Sequence, residues 1–292
     1  MSPLEAESIE VARDVVRRAH AISPSPSLLR LEAQLRRGDA SARQLGQLIE
    51  GSPALAARVL RMANSAFYSP RDPVVGLGRA VVLLGETVLR QLVLTSLIMS
   101  RQASRRSPRQ ALAAARLMGN AVRSGVVCRS LADMTRIAQA DDAFAAGLLH
   151  DLGHVYLLDE VGETYGSYLL EATPLEDADE APLERELVLA GTTHQDVGSV
   201  FAYDWNLPSA LGRVLHEHHD PAATGLPALV RASDWLVREL NHPGTAVSPT
   251  LAGSVDGALA SLGLDRATWE RRVPVVRDEY AELLTAFDAL AA

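Results

Sequence analysis

The 292-residue chain contains no lysine: its 28 basic residues are all arginine, set against 36 acidic ones for a formal net charge of −8. Lysine is thereby removed as a phosphate ligand or proton donor, and the acidic balance disfavours nucleic acid as a partner. Cysteine is nearly absent as well, Cys128 being the one copy. A lone cysteine cannot close an internal disulfide, which points to a reducing, cytoplasmic setting. The N-terminal stretch MSPLEAESIE has no apolar core behind a basic segment, so it does not read as a secretion signal. The most apolar long segment, AVVLLGETVLRQLVLTSLIM, is interrupted by Glu86, Arg90 and Gln91, short of the ~20 clean residues a membrane span needs. No membrane partner is expected. Strand-like alternation, low-complexity tracts and repeats of fixed period are missing too, which argues against β, disordered and solenoid architectures.

What remains is a chain with 48% hydrophobic residues, ample for one large core or two smaller ones. Its apolar positions recur at three- and four-residue spacing: Ile9, Ala12, Val16 and Ala19 in one segment, Leu28, Leu31 and Leu35 in the next. Ser41 and Gln44 form a capping-box pattern, and Ser52-Pro53 offers an N-cap with a first-turn proline. Val276, Tyr280, Leu283, Phe287 and Leu290 outline an amphipathic tail helix. The fold class is therefore all-α. The cluster RQASRRSPR, with Arg101, Arg105, Arg106 and Arg109, reads as a solvated interhelical loop rather than a phosphate-binding patch, and the acidic TPLEDADEAP at 173–182 as an exposed loop.

Six of the eight histidines fall between residues 150 and 219. The segment DAFAAGLLHDLGHVYLL is apolar nearly all round, which predicts one buried, central helix carrying His150, Asp151 and His154. Polar groups in such a place need partners. On the continuous helix His150 and His154 share one side, four residues apart, and Asp151 is turned by roughly 100 degrees. An imidazole and a carboxylate side by side can begin a metal site, or simply be a hydrogen-bonded core pair. In SALGRVLHEHHD the wheel puts His218 and His219 on or beside the buried face and turns His216 to solvent; last-turn histidines also complement a helix dipole. Thr192-Thr193 can cap a helix that opens with His194, a residue equally readable as exposed or as part of a site. Asp234 has a local alternative, an ion pair with Arg231 or Arg238 on neighbouring turns.

The order His-Asp, His, His-His, Asp resembles the HD metal-dependent phosphohydrolase superfamily, and five segments resemble its HDOD (HD-related output domain) branch: SPALAARVLRMANSAFY, GRAVVLLGETVLRQLVL, GLLHDLGHVYLL, HQDVGSVFAYDWNLPSAL and HEHHDP. The resemblance implies an all-helical two-lobed module at residues 23–240, with an N-terminal lobe at 23–108 packed on an HD-like lobe at 109–240. An N-terminal helix at 1–22 and a helical extension at 241–292 would flank it, leaving no room for a fused partner domain beyond the tail. It also implies a bacterial signalling role without general catalytic activity. Position by position, it carries over His150, Asp151, His194, His218, His219 and Asp234 as candidate ligands for a divalent metal (Fe, Mn, Ni or Zn). The first superfamily histidine falls at Asn120, a poorer ligand than imidazole. His154 stands where the related cyclic-dinucleotide phosphodiesterases carry lysine, and HHDPAATGLP lacks their Gly-Tyr-Pro motif. Three readings follow. The first is a regulator with a degenerate site that binds a protein partner or a small ligand, a nucleotide among them. The second is a metal-dependent phosphohydrolase or phosphodiesterase acting on a nucleotide. The third is a nucleic-acid-binding regulator using the arginine loop.

Overall fold

The structure is a computed structural model that describes residues 3–20, 26–65, 67–100, 106–171, 181–241 and 249–288. Among these residues the regular elements are all helices and no strand occurs, as the three- and four-residue spacing requires. No helix among them is long and apolar enough to cross a membrane. The chain forms two compact units, Ile22–Ser104 with Pro274–Ala292, and Met1–Ala21 with Arg105–Val273. The division falls inside the last helix, α15 (Arg266–Asp288), at Pro274, whose ring removes a backbone donor from the helical ladder.

The first of these units contains α2 (Pro26–Arg37), α3 (Ala42–Glu50), α4 (Pro53–Ala63) and α5 (Leu77–Ser100), with α2, α3 and α4 all packing on α5. Its local signals are the expected ones. Ser41 and Gln44 make both bonds of a capping box, and Pro53 opens α4, although the Ser52 side chain makes no cap bond. Leu31, Leu35, Leu45, Ile49, Val59 and Leu89 are buried, each such side chain contributing about 1.5–3 kcal/mol by leaving water. From the tail helix, Val276 and Leu283 are buried and Tyr280 is half-buried; the side chain of Phe287 and all of Leu290 lie outside the described residues.

Within α5 the helix breaks at Gly85, where φ is 75° and ψ is 164°. That region is essentially reserved for glycine, because a Cβ collides with the neighbouring peptide. Gly85→Ala is therefore expected to destabilise the protein by about 1–3 kcal/mol in denaturant unfolding; an unchanged midpoint would contradict the strained break.

The second unit holds α1 (Pro3–His20), α6 (Pro108–Thr135), α7 (Ala140–Leu149), α8 (Leu152–Val161), α9 (Glu163–Glu171), α10 (Ala181–Ala190), α11 (His194–Asp204), α12 (Ser209–Glu217), α13 (Leu226–Asn241) and α14 (Pro249–Ser261). Helix α6 is its spine, packing on α7, α9 and α13, while α11 packs on α12, α8 and α1. Ala12, Val15 and Val16 bury the apolar stripe of α1, and Ser8 hydrogen-bonds to Asp196 and, at 3.1 Å, to Thr192. Of the arginine cluster, Arg106 departs from the solvated loop expected of it. Its guanidinium meets Asp159 through Nε at 2.8 Å and Nη2 at 3.0 Å, with only 4% of the side chain exposed. The fork geometry matches a carboxylate, and this pairing fixes the start of α6 on α8. Arg109 pairs with Glu171 at the surface, and Arg101 and Arg105 lie outside the described residues. So do residues 173–180 of the acidic stretch, while its last two residues, Ala181 and Pro182, open α10.

Candidate metal centre

The single helix expected through DAFAAGLLHDLGHVYLL is two helices, α7 and α8, which meet at His150-Asp151. Its apolar residues are buried as the pattern required, but the ladder stops because the carbonyl of Gly147 accepts a hydrogen bond from the His150 ring, Nδ1 at 2.8 Å. Asp151 then takes φ −93°, ψ 15°, in the bridge region between helix and strand. Two glycines make the break fit. A Cβ on Gly147 would lie 2.5 Å from the Ser124 carbonyl oxygen of α6, and one on Gly153 would lie 2.0 Å from the His194 carbonyl oxygen of α11. Backbones can approach this closely only without a side chain. The helix breaks between them, yet His150 and His154 both face Asp151, their Nε2 atoms 3.2 and 3.9 Å from its two oxygens, and both line one cavity.

The remaining candidates converge on this break. His150 Nε2 lies 3.2 Å from Asp151 Oδ2 and 3.0 Å from Asp234 Oδ1. The other oxygen of Asp151 is 3.8 Å from His194 Nε2 and 3.7 Å from His218 Nε2, and those two nitrogens are 3.2 Å apart. The half-buried His219 ring sits 4.3 Å from that of His218 and 5.1 Å from that of His194, centroid to centroid. His154 stacks on His194 at 4.1 Å, and its Nδ1 is 2.7 Å from the Tyr165 hydroxyl. Asp234 thus serves the cluster rather than an ion pair with Arg231 or Arg238, and Ser124 adds a hydrogen bond to it at 3.4 Å. His216 is exposed, as its place on the wheel indicated.

Hydrogen bonds around the rings decide which nitrogens are free. His150 Nδ1 faces the Gly147 carbonyl and His218 Nδ1 the Val214 carbonyl, each at 2.8 Å. A carbonyl oxygen can only accept, so both Nδ1 atoms carry hydrogen. His194 Nδ1 lies 2.9 and 3.0 Å from the two oxygens of Glu186, which also accepts the His194 backbone N–H at 2.7 Å; that Nδ1 donates too. In the neutral rings all three Nε2 atoms are therefore bare lone pairs, aimed at one another and at carboxylates. Acceptors gathered this way repel unless a cation lies among them.

Helix ends add to the effect. His150 and His218 occupy the C-caps of α7 and α12, whose last carbonyls carry partial negative charge, while Glu186 answers the positive end of α11. The last-turn dipole reading of His218 and its place in a cluster are thus the same arrangement. Ligands about 2.1 Å from a tetrahedral metal ion are about 3.4 Å from each other, which is the scale of the separations seen here. The ligand atoms of His194, His218 and His219 all lie within 4.8 Å of one another, as do those of Asp151, His154 and His194, and either group could hold a metal ion.

Protonation follows the geometry. Burial lowers His218 and His219 well below the ordinary imidazole value, and the surrounding histidines add to it; His154 falls to about 4, chiefly by burial and then by the neighbouring His194. These rings stay neutral and available as donors. Burial also opposes a charge on His150, but the carboxylates of Asp151 and Asp234 outweigh it and hold this ring well above its usual value. For His194 the Glu186 carboxylate likewise outweighs burial and raises it.

Asn120 and Glu186 complete the description. Asn120 lines the same cavity as the cluster, with its Oδ1 accepting from Asn241 Nδ2 at 3.2 Å. Glu186 escaped the sequence reading because α10 is inverted: Glu186 is fully buried, whereas its apolar neighbours Leu187 and Val188 are 43% and 87% exposed. Its one signal was an acid eight residues ahead of His194 in a segment otherwise suited to a buried face.

With this geometry established, the comparisons with known proteins can be placed. The family model of the HDOD domain matches residues 22–221. The chain belongs to the HDOD family. It is similar to an uncharacterized protein of Treponema pallidum, 25% identical over 224 residues that make up 74% of this chain and 41% of that protein, so the chain spans less than half of that relative. Two solved structures share the fold. One, named a candidate phosphohydrolase, is from Shewanella amazonensis, with TM-score 0.66 and 18% identity over 93% of this chain and 97% of that one. The other, named a candidate signal transduction protein, is from Marinobacter aquaeolei, with TM-score 0.62 and 20% identity over 98% of this chain and 67% of that one. At such identities the likeness speaks for the HDOD fold alone.

Two outcomes follow from the cluster. Glu186→Gln keeps the shape but weakens the polarisation of His194, and it is expected to lower metal affinity about 10–100-fold in a metal titration; an unchanged affinity would remove Glu186 from the site. Because a proton and a metal ion compete for the Nε2 of His194, whose ring is held above the ordinary imidazole value while His218 and His219 are held below it, uptake should weaken as the pH falls through the raised value of His194, as followed by cobalt(II) absorption. Uptake independent of pH would contradict the tautomers deduced above.

Proposed function

We propose that this HDOD protein is a bacterial signalling module whose HD-type cluster holds one divalent metal ion as a structural and regulatory centre rather than as a hydrolytic one. The observation that carries this reading is the asymmetry of the cluster. On the side of Asn120, no imidazole among the described residues replaces the missing superfamily ligand, and His150 Nε2 is already held between Asp151 and Asp234 at 3.2 and 3.0 Å. A protonated His150 supplies the positive charge that this half requires. On the other side, His194, His218 and His219 bring three imidazoles together beside an oxygen of Asp151.

Three imidazoles and a carboxylate suit Zn, Ni, Fe or Mn, with affinity falling from Ni through Fe to Mn. When bound, such an ion supplies Lewis acidity and ties α8, α11 and the end of α12 together. The chain's own residues do the rest: Glu186 fixes the His194 tautomer, the Val214 carbonyl fixes that of His218, and Tyr165 holds His154. In this reading the output is a contact with a protein partner that responds to the state of the centre. Metal at one hundred times its dissociation constant should stabilise the protein by about 2.7 kcal/mol, lost on chelation and absent in His218→Ala. A melting curve indifferent to metal and chelator would rule the centre out.

A second reading, a metal-dependent phosphohydrolase, has one observation in its favour: His154 and Asp151 line a cavity of about 170 Å3 beside the cluster, room enough for a reacting group. Hydrolysis of a nucleotide or of bis(4-nitrophenyl) phosphate by the metal-loaded chain, abolished in Asp151→Ala, would establish it. The reading preferred here expects no such turnover.

A further inference from the structure

We infer that the part of this cavity's wall formed by Arg116 and Asn120 of α6 and Arg238 and Asn241 of α13 is an anion subsite that takes the phosphate group of a small organic phosphate monoester. Arg116 and Asn120 are four residues apart and Arg238 and Asn241 three apart, so each pair shares one face of its helix. The two helices pack together, and Asn241 Nδ2 donates to Asn120 Oδ1 at 3.2 Å across the contact. All four side chains line the cavity that also contains Asp151, His154 and His219.

Arg106, Arg109, Arg213 and Arg266 each meet a carboxylate at 2.6–3.1 Å. Among the described residues Arg116 and Arg238 meet none. Arg116 gives Nη1 to the Leu170 carbonyl at 3.0 Å, and the Arg238 guanidinium lies over the Trp235 ring, 5.3 Å from its centroid. Both contacts orient a guanidinium without neutralising it, and an oriented, charged fork is the group that recognises phosphate bidentately. Arg238 is also near enough to His219 to help hold that ring neutral. The rest of the lining is mixed: Leu117, Leu169, Val237 and Tyr168 offer apolar surface, which suits a planar or apolar body behind a charged head, while Asp151, Glu186 and Asp234 lie with the histidines. A phosphate monoester has three terminal oxygens to meet two guanidiniums and a cation. The third contact rests on the metal reading above; the two arginine contacts stand without it.

Calorimetric titration of the full chain tests this, with and without manganese or zinc. The probes are adenosine 5′-monophosphate, ribose 5-phosphate, adenosine and citrate. The monophosphate should bind, ribose 5-phosphate more weakly, and adenosine at least a hundred-fold more weakly. Arg238→Gln, which breaks no hydrogen bond among the described residues, should cost about ten-fold or more in monophosphate affinity, and Arg116→Gln a similar amount. Both variants should take up metal as the parent does. Monophosphate affinity unchanged in Arg238→Gln and Arg116→Gln, adenosine binding as tightly as its phosphate, or citrate binding alone would each overturn the subsite. The two ideas fail separately. Normal metal uptake without arginine-dependent phosphate binding removes the subsite and leaves the metal centre, whereas arginine-dependent binding by a chain that takes up no metal does the reverse.

Discussion

Three imidazole rings enter this protein's centre with one nitrogen already committed. Gly147, Val214 and Glu186 occupy the Nδ1 sides of His150, His218 and His194, so the three Nε2 atoms converge with the carboxylates of Asp151 and Asp234. A fold that buries so many acceptors together must accommodate positive charge there, because unpaired acceptors away from water are costly. Much of the surrounding architecture serves that demand. The α7–α8 break frees the Gly147 carbonyl for His150 and turns Asp151 between two halves of the cluster. Gly147 and Gly153 permit the close approach of α6 and α11, and the C-terminal ends of α7 and α12 lend their dipoles. Helix α1 braces this region through Ser8 on Thr192 and Asp196, each two residues from His194 on the turn that positions it.

Much of this was legible in the sequence. The apolar spacing yields the helices, Ser41 and Gln44 the cap of α3, Thr193 the cap of α11, and the wheel of α12 separates exposed His216 from buried His218. The histidine and aspartate positions that converge are the ones the family pattern marks. What stayed hidden depends on long-range contact. A run of apolar residues around His-Asp carries no sign that the helix stops there, because the stop comes from a ring bonding a carbonyl three residues back. Glu186 sits on a helix whose apolar side chains face outward, which inverts the usual rule. Asp234 has arginines at helical spacing on its own helix, yet it is drawn to a histidine 84 positions earlier in the chain, His150. Local spacing cannot report that choice.

The cluster's two halves differ in what they offer. Near Asn120, a protonated His150 between two carboxylates is a closed, self-neutralised group. Near His218, burial and the neighbouring rings hold His218 and His219 neutral, while the Glu186 carboxylate raises His194 beside them. In the proposed reading, Asn120 does not empty the site; it divides a pattern that could serve two cations into a proton site and a metal site, and leaves the neighbouring cavity available for recognition rather than turnover.

The most direct test is metal stoichiometry and ligation in the chain purified without chelators or a histidine tag, by elemental analysis joined to X-ray absorption at the metal edge. One ion per chain, with a shell dominated by imidazole nitrogen that loses scatterers in His218→Ala and His219→Ala but not in Asn120→Ala, is the predicted result. Two ions per chain, or none after reconstitution, would contradict the division of the cluster into one proton site and one metal site.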